Sequence, residues 1–180
     1  WVREKEPGQT LTEIDLRAEE AILKRIREAF PGHAILAEES GRKEGSEWMW
    51  VVDPLDGTTN YSINNPFFCT SVSLVHGRET VVGVTYAPMT GELFHAARGE
   101  GSFLNGKRIR VSGSGLEDSL VSFCNGKGDQ DKEEIGRIFR VLKREAKDFD
   151  RYKAGALELA FVAAGRFGAY LANSQMSWDS

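Results

Sequence analysis

The sequence predicts an α+β protein in which sheets and helices form layers. An amphipathic helix near the start is followed by a long stretch rich in strand and turn residues. Helices and strands then alternate irregularly, whereas a doubly wound parallel sheet needs regular alternation. We therefore expect mixed and antiparallel sheets in a chain of 180 residues, which is long enough for a sizeable hydrophobic core.

The first predicted element is a helix over "TEIDLRAEEAILKRIREAF", which "PGH" ends. Its apolar residues recur at helical spacing, with Arg, Lys and Glu on the opposite side. These apolar residues are Leu16, Ile22, Leu23, Ile26 and Phe30. Two strands are expected next, in "AILAEES" and "EWMWVVDPLD", and both end in acidic residues.

Residues 67–111 are rich in Val, Thr, Phe and Tyr and contain the turn signals "HGRE", "PMTG", "RGEG" and "NGK". This pattern predicts a meander of antiparallel strands. The flexible stretch "SGSGLEDS" divides the chain into an N-terminal α+β subdomain, residues 1–112, and the start of a C-terminal subdomain, residues 113–180. The second part should contain a strand in "LVSFC", a helix through Phe139 and Leu142, and a helix and strand in "ALELAFVAAGRFGAYL".

Composition limits the class of protein. Hydrophobic residues make up 41% and charged residues 28%, as in an ordinary globular protein. No run of eighteen apolar residues and no leader is present, so we expect a cytoplasmic protein without a membrane span. A net charge of -4 disfavours a nucleic-acid surface. Cys69 and Cys124 lie outside any Cys-x-x-Cys pattern and are expected to be small buried residues in strands.

The carboxylates at the ends of the two strands are candidates for a metal site. Two like charges about 4 Å apart repel by roughly 4 kcal/mol at an effective dielectric of 20, so a cluster needs a cation or a proton. Ligands with oxygen donors only favour magnesium, manganese or calcium over zinc. The alternative for any single acid is a helix cap or a solvent-exposed position. That alternative is weaker for Asp53 and Asp56, because Pro54 restricts the backbone between them and Gly57 permits a close backbone approach.

The residues after Asp56 predict a phosphate-binding turn. If a helix begins in "GTTN", its first N–H groups have no partner in the helix and can bind an anion. The hydroxyl of Thr58 can bind water or a phosphate oxygen. The alternative is that Thr58 or Thr59 serves only as an N-cap.

These motifs resemble the inositol monophosphatase superfamily, the magnesium-dependent and lithium-sensitive phosphatases of sugars and nucleotides. The resemblance rests on "WVVDPLDGTTNY", on "AEES" before it and on "WD" at the end, and it extends over the whole chain. It also includes "TEIDLRAEE", "GELFHAARGEGSFLNGKRIRVS" and "LELAFVAAGRFGAYL". It implies a layered α-β-α-β-α sandwich, the sugar-phosphatase fold, of which the C-terminal subdomain is incomplete here.

The resemblance also implies roles for individual residues. The metal ligands would be Glu38, Asp53, the carbonyl of Leu55, Asp56 and Asp179. The catalytic residues would be Asp15 and Thr58, which would orient and deprotonate the attacking water, together with Glu39, which would support Glu38. The backbone N–H groups of Gly57 and Thr58 would bind the phosphate. Two or three Mg²⁺ ions, for which Mn²⁺ could substitute, would be the cofactors of a phosphomonoesterase that uses in-line attack by water.

Two positions depart from the family pattern. Ala172 stands where inositol-preferring members have a glutamate, and "KAGA", residues 153–156, replaces Gly-Ser-Ala-Ala. Lys153 could be a solvated charge or could bind a second anionic group of the substrate. Inositol monophosphate, another sugar or polyol phosphate, histidinol phosphate, fructose 1,6-bisphosphate and a 3'-phosphonucleotide therefore stay open as substrates.

A different class of function is also open. A family member without catalysis could act as a binding factor, for example one associated with RNA polymerase or the ribosome. The complete set of acidic residues favours the enzyme. The resemblance further implies a homodimer that acts on a small phosphorylated metabolite, without a nucleic-acid or membrane partner.

Overall fold

The computed structural model describes residues 1–6, 9–124 and 129–172. Four α-helices occur in this part of the chain: α1 (Glu13–Ala29), α2 (Thr58–Ser62), α3 (Asp129–Glu145) and α4 (Gly155–Ala163). The strands up to the end of the meander are β1 (Val2–Glu6), β2 (Gln9–Thr12), β3 (Ala34–Ala37), β4 (Gly41–Lys43), β5 (Trp48–Asp56), β6 (Cys69–His76), β7 (Glu79–Ala87), β8 (Glu92–Ala97), β9 (Gly101–Leu104) and β10 (Lys107–Ile109). The later strands are β11 (Leu120–Cys124), β12 (Asp148–Asp150) and β13 (Ala169–Ala172).

The largest sheet has eight strands in the order β10-β9-β8-β7-β6-β5-β3-β4. Strands β6 to β10 form the predicted antiparallel meander, and only β3 and β5 pair in parallel. The prediction of an α+β fold with mixed and antiparallel sheets is therefore confirmed. The β1–β2 hairpin, in the charged opening of the chain, was not predicted.

A second sheet contains three parallel strands in the order β12-β11-β13. The predicted strand in "LVSFC" is β11, and "ALELAFVAAGRFGAYL" forms α4 and β13, as expected. The chain leaves the large sheet at Ile109 and enters the small sheet at Leu120. The division into subdomains at residues 112 and 113 stays a prediction.

Helix α1 packs against the large sheet, but its buried side differs from the predicted one. Leu23 and Ile26 are buried against Ile35 and Val52. Leu16 is exposed, and so is Phe30 at the end of the helix. Two acids, Asp15 and Glu19, occupy the buried side instead. They lie four residues apart and therefore on one face of the helix, where hydrogen-bond partners satisfy them, as described below.

Helix α4 joins the two sheets. Its small residues Ala156 and Ala160 pack with Leu157 against Cys69 and Phe94 of the large sheet. Small side chains permit this close approach of a helix to a sheet. After the helix, the guanidinium of Arg166 pairs with Glu92 of β8 through both carboxylate oxygens, and this hydrogen bonding lowers the pKa of Glu92. These contacts hold both ends of α4 against the large sheet.

No helix in the described ranges is long and apolar enough to cross a membrane.

Candidate metal and phosphate site

A bulge at the end of β5 directs the two aspartates of "DPLDG". Asp53 pairs with Ser71 and Asp56 with Cys69, so β5 contains one residue more than β6 between these pairs. Pro54, which has no N–H to give to the ladder, lies in the bulge. The N–H of Leu55 donates to Oδ1 of Asp53 at 3.0 Å. The bulge therefore fixes both carboxylates, which are only 2% and 8% exposed, on one short segment.

The register of the parallel strands brings Glu38 to the same edge. Ala37 pairs with Val52, and the N–H of Glu38 donates to the carbonyl of Val52 at 3.1 Å. Glu38 is therefore the neighbour of Asp53 at the ends of two adjacent strands. The next N–H, that of Glu39, donates to Oε2 of the buried Glu19 at 2.8 Å. Glu19 thus fixes the segment that carries Glu38 and Glu39.

Asp15 connects the start of α1 to the turn after β5. Its Oδ2 accepts the N–H of Thr12 at 2.7 Å and also a short hydrogen bond from the Thr12 hydroxyl, which caps the helix. Its Oδ1 lies 3.0 Å from Oγ1 of Thr58, whose hydroxyl is also 3.0 Å from the carbonyl of Leu55. The structure thus brings three of the predicted site residues, Asp15, Leu55 and Thr58, into one hydrogen-bonded group, although Asp15 and Thr58 are 43 positions apart in the sequence.

Gly57 is the N-cap of α2 and has a φ of 93°, in the left-handed region. The predicted helix thus begins at Thr58, and the cap is the glycine and not a threonine. A Cβ on Gly57 would lie 3.0 Å from the carbonyl oxygen of Phe67 and 3.2 Å from Cβ of Ala154. Asn60, one turn later, donates to the carbonyls of Phe67 and Tyr152 at 2.6 Å each. Asn60 thus holds the turn against the segments that contain Phe67 and Tyr152.

Asp56 accepts hydrogen bonds from the start of α4. The N–H of Gly155 donates to Oδ1 at 3.1 Å, and those of Ala156 and Leu157 donate to Oδ2 at 2.8 and 3.3 Å. The thiol of Cys69 lies 3.5 Å from Oδ2. Burial, and then the charges of Asp56 and Asp53, raise the pKa of this thiol well above its usual value. Cys69 therefore stays protonated and, as predicted, is a buried strand residue.

Two predicted site residues, Lys153 and Asp179, are not among the residues that these contacts bring together. Lys153 is exposed, with a φ of 61° that is uncommon for a residue with a side chain, and it directly precedes Ala154. Asp179 lies outside the described residues.

The chemistry of the donors fits a hard divalent cation. Asp53, Asp56, Glu38 and the Leu55 carbonyl offer only oxygen atoms, which magnesium and manganese prefer. Within residues 1–6, 9–124 and 129–172, no group of three or more Asp, Glu, His or Cys side chains is arranged so that it could hold a metal ion by itself.

Glu158 of α4 is a buried acid that the sequence did not single out. It is 0% exposed, and its Oε2 accepts the N–H of Ala154 at 3.0 Å. Its Oε1 and the hydroxyl of Ser122 are both buried, and the Ser122 hydroxyl lies close enough to the carboxylate to lower its pKa. Desolvation raises the pKa of Glu158 to about 7, although the Ala154 N–H opposes this shift.

Stability should therefore depend on pH through Glu158. The pKa is about 7 in the folded chain and about 4.5 in the unfolded chain, so the free energy of unfolding falls as pH rises from 4.5 to 7. We expect Glu158→Gln to be more stable than the wild type by about 2 kcal/mol at pH 7.5 and equal to it near pH 4.5. Urea unfolding at both pH values measures this, with the exposed Glu145→Gln as control. An equal advantage at both pH values would contradict the expectation.

Sequence reasoning missed Glu19 and Glu158 for different reasons. Glu19 follows Asp15 by four residues on one helix face, a signal that was available. Glu158 lies in an apolar helix, where nothing local distinguishes it from a solvent-exposed acid.

The fold, with acids gathered at the ends of β3 and β5, defines an α+β protein of the sugar-phosphatase type. A family model described as the inositol monophosphatase family matches residues 2–180, and the chain belongs to this family.

Curated relatives include Nus factor SuhB of Pseudomonas aeruginosa, which is 38% identical over 99% of this chain and 69% of the relative. A solved SuhB structure from Bartonella henselae superposes with a TM-score of 0.95 at 35% identity, over 99% of this chain and 70% of that one. The inositol monophosphatase of Anabaena has a TM-score of 0.85 at 38% identity, over 92% and 67% of the two chains. The chain thus spans about two thirds of these relatives.

Proposed function

We propose that the chain is a magnesium-dependent phosphomonoesterase that hydrolyses a small phosphorylated metabolite. The observation that carries this proposal is the hydrogen-bonded group of Asp15, Thr58 and the Leu55 carbonyl beside two buried aspartates. Two buried carboxylates on one bulge carry like charges, and a bound cation would offset their repulsion. Membership of the inositol monophosphatase family supports the same function.

The proposed metal ligands are Glu38, Asp53, the carbonyl of Leu55, Asp56 and Asp179. Mg²⁺ held there would supply positive charge against the phosphate oxygens and make a water molecule more acidic. Glu39 supports Glu38 through the backbone that Glu19 fixes.

Thr58 and Asp15 would orient and deprotonate the attacking water. The Thr58 hydroxyl can donate its proton to Oδ1 of Asp15, which leaves a lone pair on Oγ1 to accept a proton from water. As the water oxygen bonds to phosphorus, the bond from phosphorus to the ester oxygen breaks, and the leaving oxygen takes a proton from a solvent water to depart as the alcohol. The N–H groups of Gly57 and Thr58 would hold the phosphate in line, and Lys153 would bind a further anionic group of the substrate.

Phosphate release from a panel of metabolites tests this function. Inositol monophosphate, histidinol phosphate, fructose 1,6-bisphosphate and a 3'-phosphonucleotide cover the proposed substrates. We expect release from at least one of them, and its loss when magnesium is removed with a chelator. Release from none, or release that is indifferent to the chelator, would contradict the proposal.

A second candidate function is a binding factor, which the name of the curated relatives, Nus factor, favours. Calorimetric titration with magnesium and a pull-down of cellular partners discriminate between the two. A binding factor would capture the same partners with and without magnesium, and would release no phosphate. A homodimer of the enzyme is a further proposal from the family resemblance, and gel filtration with light scattering measures it.

A further inference from the structure

The start of α4 is held by two carboxylates. The first N–H groups of a helix have no partner within the helix. Here the N–H groups of residues 155–157 donate to Asp56, from about a hundred positions earlier in the chain. The preceding N–H, that of Ala154, donates to Oε2 of Glu158 at 3.0 Å. Four consecutive N–H groups are thus shared between a proposed metal ligand and a buried glutamate.

Glu158 fixes the position of this helix start. Ala154 is 0% exposed and packs with Cys69 in the core between α4 and the large sheet. Without the Glu158 carboxylate, the Ala154 N–H would be buried with no acceptor, which is unfavourable. The first turn of α4 would then shift, and the three N–H groups that contact Asp56 would move with it.

We propose that Glu158 is a positioning residue for the metal site, acting through the first turn of α4 on the carboxylate of Asp56. This inference rests on the proposed function, because it takes Asp56 as a metal ligand. Groups that hydrogen-bond to a metal-ligating side chain fix its orientation. Their loss typically lowers metal affinity 10- to 100-fold. Glu158 itself contacts neither the substrate nor the metal.

The test is calorimetric titration of the full 180-residue chain with Mn²⁺. In Glu158→Met, whose side chain has similar volume but no oxygen acceptor, we expect the Kd for Mn²⁺ to rise about tenfold or more. Glu158→Gln retains an oxygen that can accept the Ala154 N–H, and its Kd should stay within about threefold of the wild type. Leu159→Met is the matched control, because it introduces the same side chain one position later in α4 and leaves the hydrogen bond between Ala154 and Glu158 intact.

A second measurement on the wild type does not depend on any variant folding. Mn²⁺ should slow hydrogen exchange at the N–H groups of residues 154–157 together, because both carboxylates act on one helix turn. Slowing confined to the end of β5, or an unchanged Kd in a folded Glu158→Met, would overturn the role of Glu158 alone. A wild-type chain that binds no Mn²⁺ would overturn the proposed metal-dependent function, and with it this role.

Discussion

Asp53→Asn is expected to abolish metal-dependent phosphate release while the chain stays folded. Asparagine can still accept the N–H of Leu55, so the bulge in β5 should persist. The change removes one negative charge from a buried acidic group and thereby relieves repulsion with Asp56. As a proposed metal ligand, Asp53 would contribute several kcal/mol of charge stabilisation through the metal, so kcat should fall by about a thousandfold or more.

Phosphate release and thermal unfolding measure the two halves of this prediction. The Tm of Asp53→Asn should equal or exceed that of the wild type. Asp118→Asn, an exposed acid far along the chain, is the matched control for loss of charge and should change neither quantity. Normal activity in Asp53→Asn would show that the metal assignment is wrong.

Gly57→Ala should reduce both stability and activity, because this position combines a left-handed backbone with close neighbours on two sides. The φ of 93° costs about 1 kcal/mol for any residue with a Cβ. The added carbon would also lie 3.0 Å from the carbonyl oxygen of Phe67 and 3.2 Å from Cβ of Ala154, so backbone must move. We expect a loss of roughly 2–3 kcal/mol in the free energy of unfolding.

Activity should fall further than stability alone would require. Gly57 lies between Asp56 and Thr58, and a small displacement of groups that position a reaction lowers its rate about a hundredfold. Gly91→Ala is the matched control: it also has a positive φ, of 66°, but nothing lies within 4 Å of the added carbon. In urea unfolding, Gly91→Ala should lose only the free energy that the left-handed backbone costs, about 1 kcal/mol. Its phosphate release should equal that of the wild type. Equal losses in the two variants would contradict the crowding at Gly57.

Local periodicity was sufficient to predict most elements of the fold. The alternation and turn signals of residues 67–111 produced β6 to β10 because each hairpin forms between neighbours in the sequence. The pattern of α1 located the helix but misplaced part of its buried side, since Leu16 is exposed and Glu19 is buried. The spacing of apolar residues indicates which side chains favour burial away from water. Glu19 is buried for another reason, because its carboxylate accepts a hydrogen bond from the N–H of Glu39.

In the candidate site, too, the sequence predicts some features and only the tertiary structure shows the others. The acids of the "DPLDG" motif and Glu38 could be predicted to lie together because they stand at the carboxyl ends of two strands, and these strands are parallel neighbours. The roles of Asp15 and Thr58 came from family resemblance, and their hydrogen bond across 43 positions is a tertiary contact. No local pattern indicates that the carboxylate of Asp56 holds a helix a hundred residues later, or that Cys69 lies beside it.

The sequence by itself determined most of the helices and strands, the proline between the two aspartates, the glycine turn and the acidic strand ends, because these depend on backbone preferences and periods within a few residues. The tertiary structure alone decided which acids are buried and which N–H groups they accept. Burial and hydrogen bonding of Glu19, Asp56 and Glu158 depend on segments distant in sequence. An acid that is solvated in one packing is desolvated and held by N–H groups in another, and this difference sets its pKa and its role.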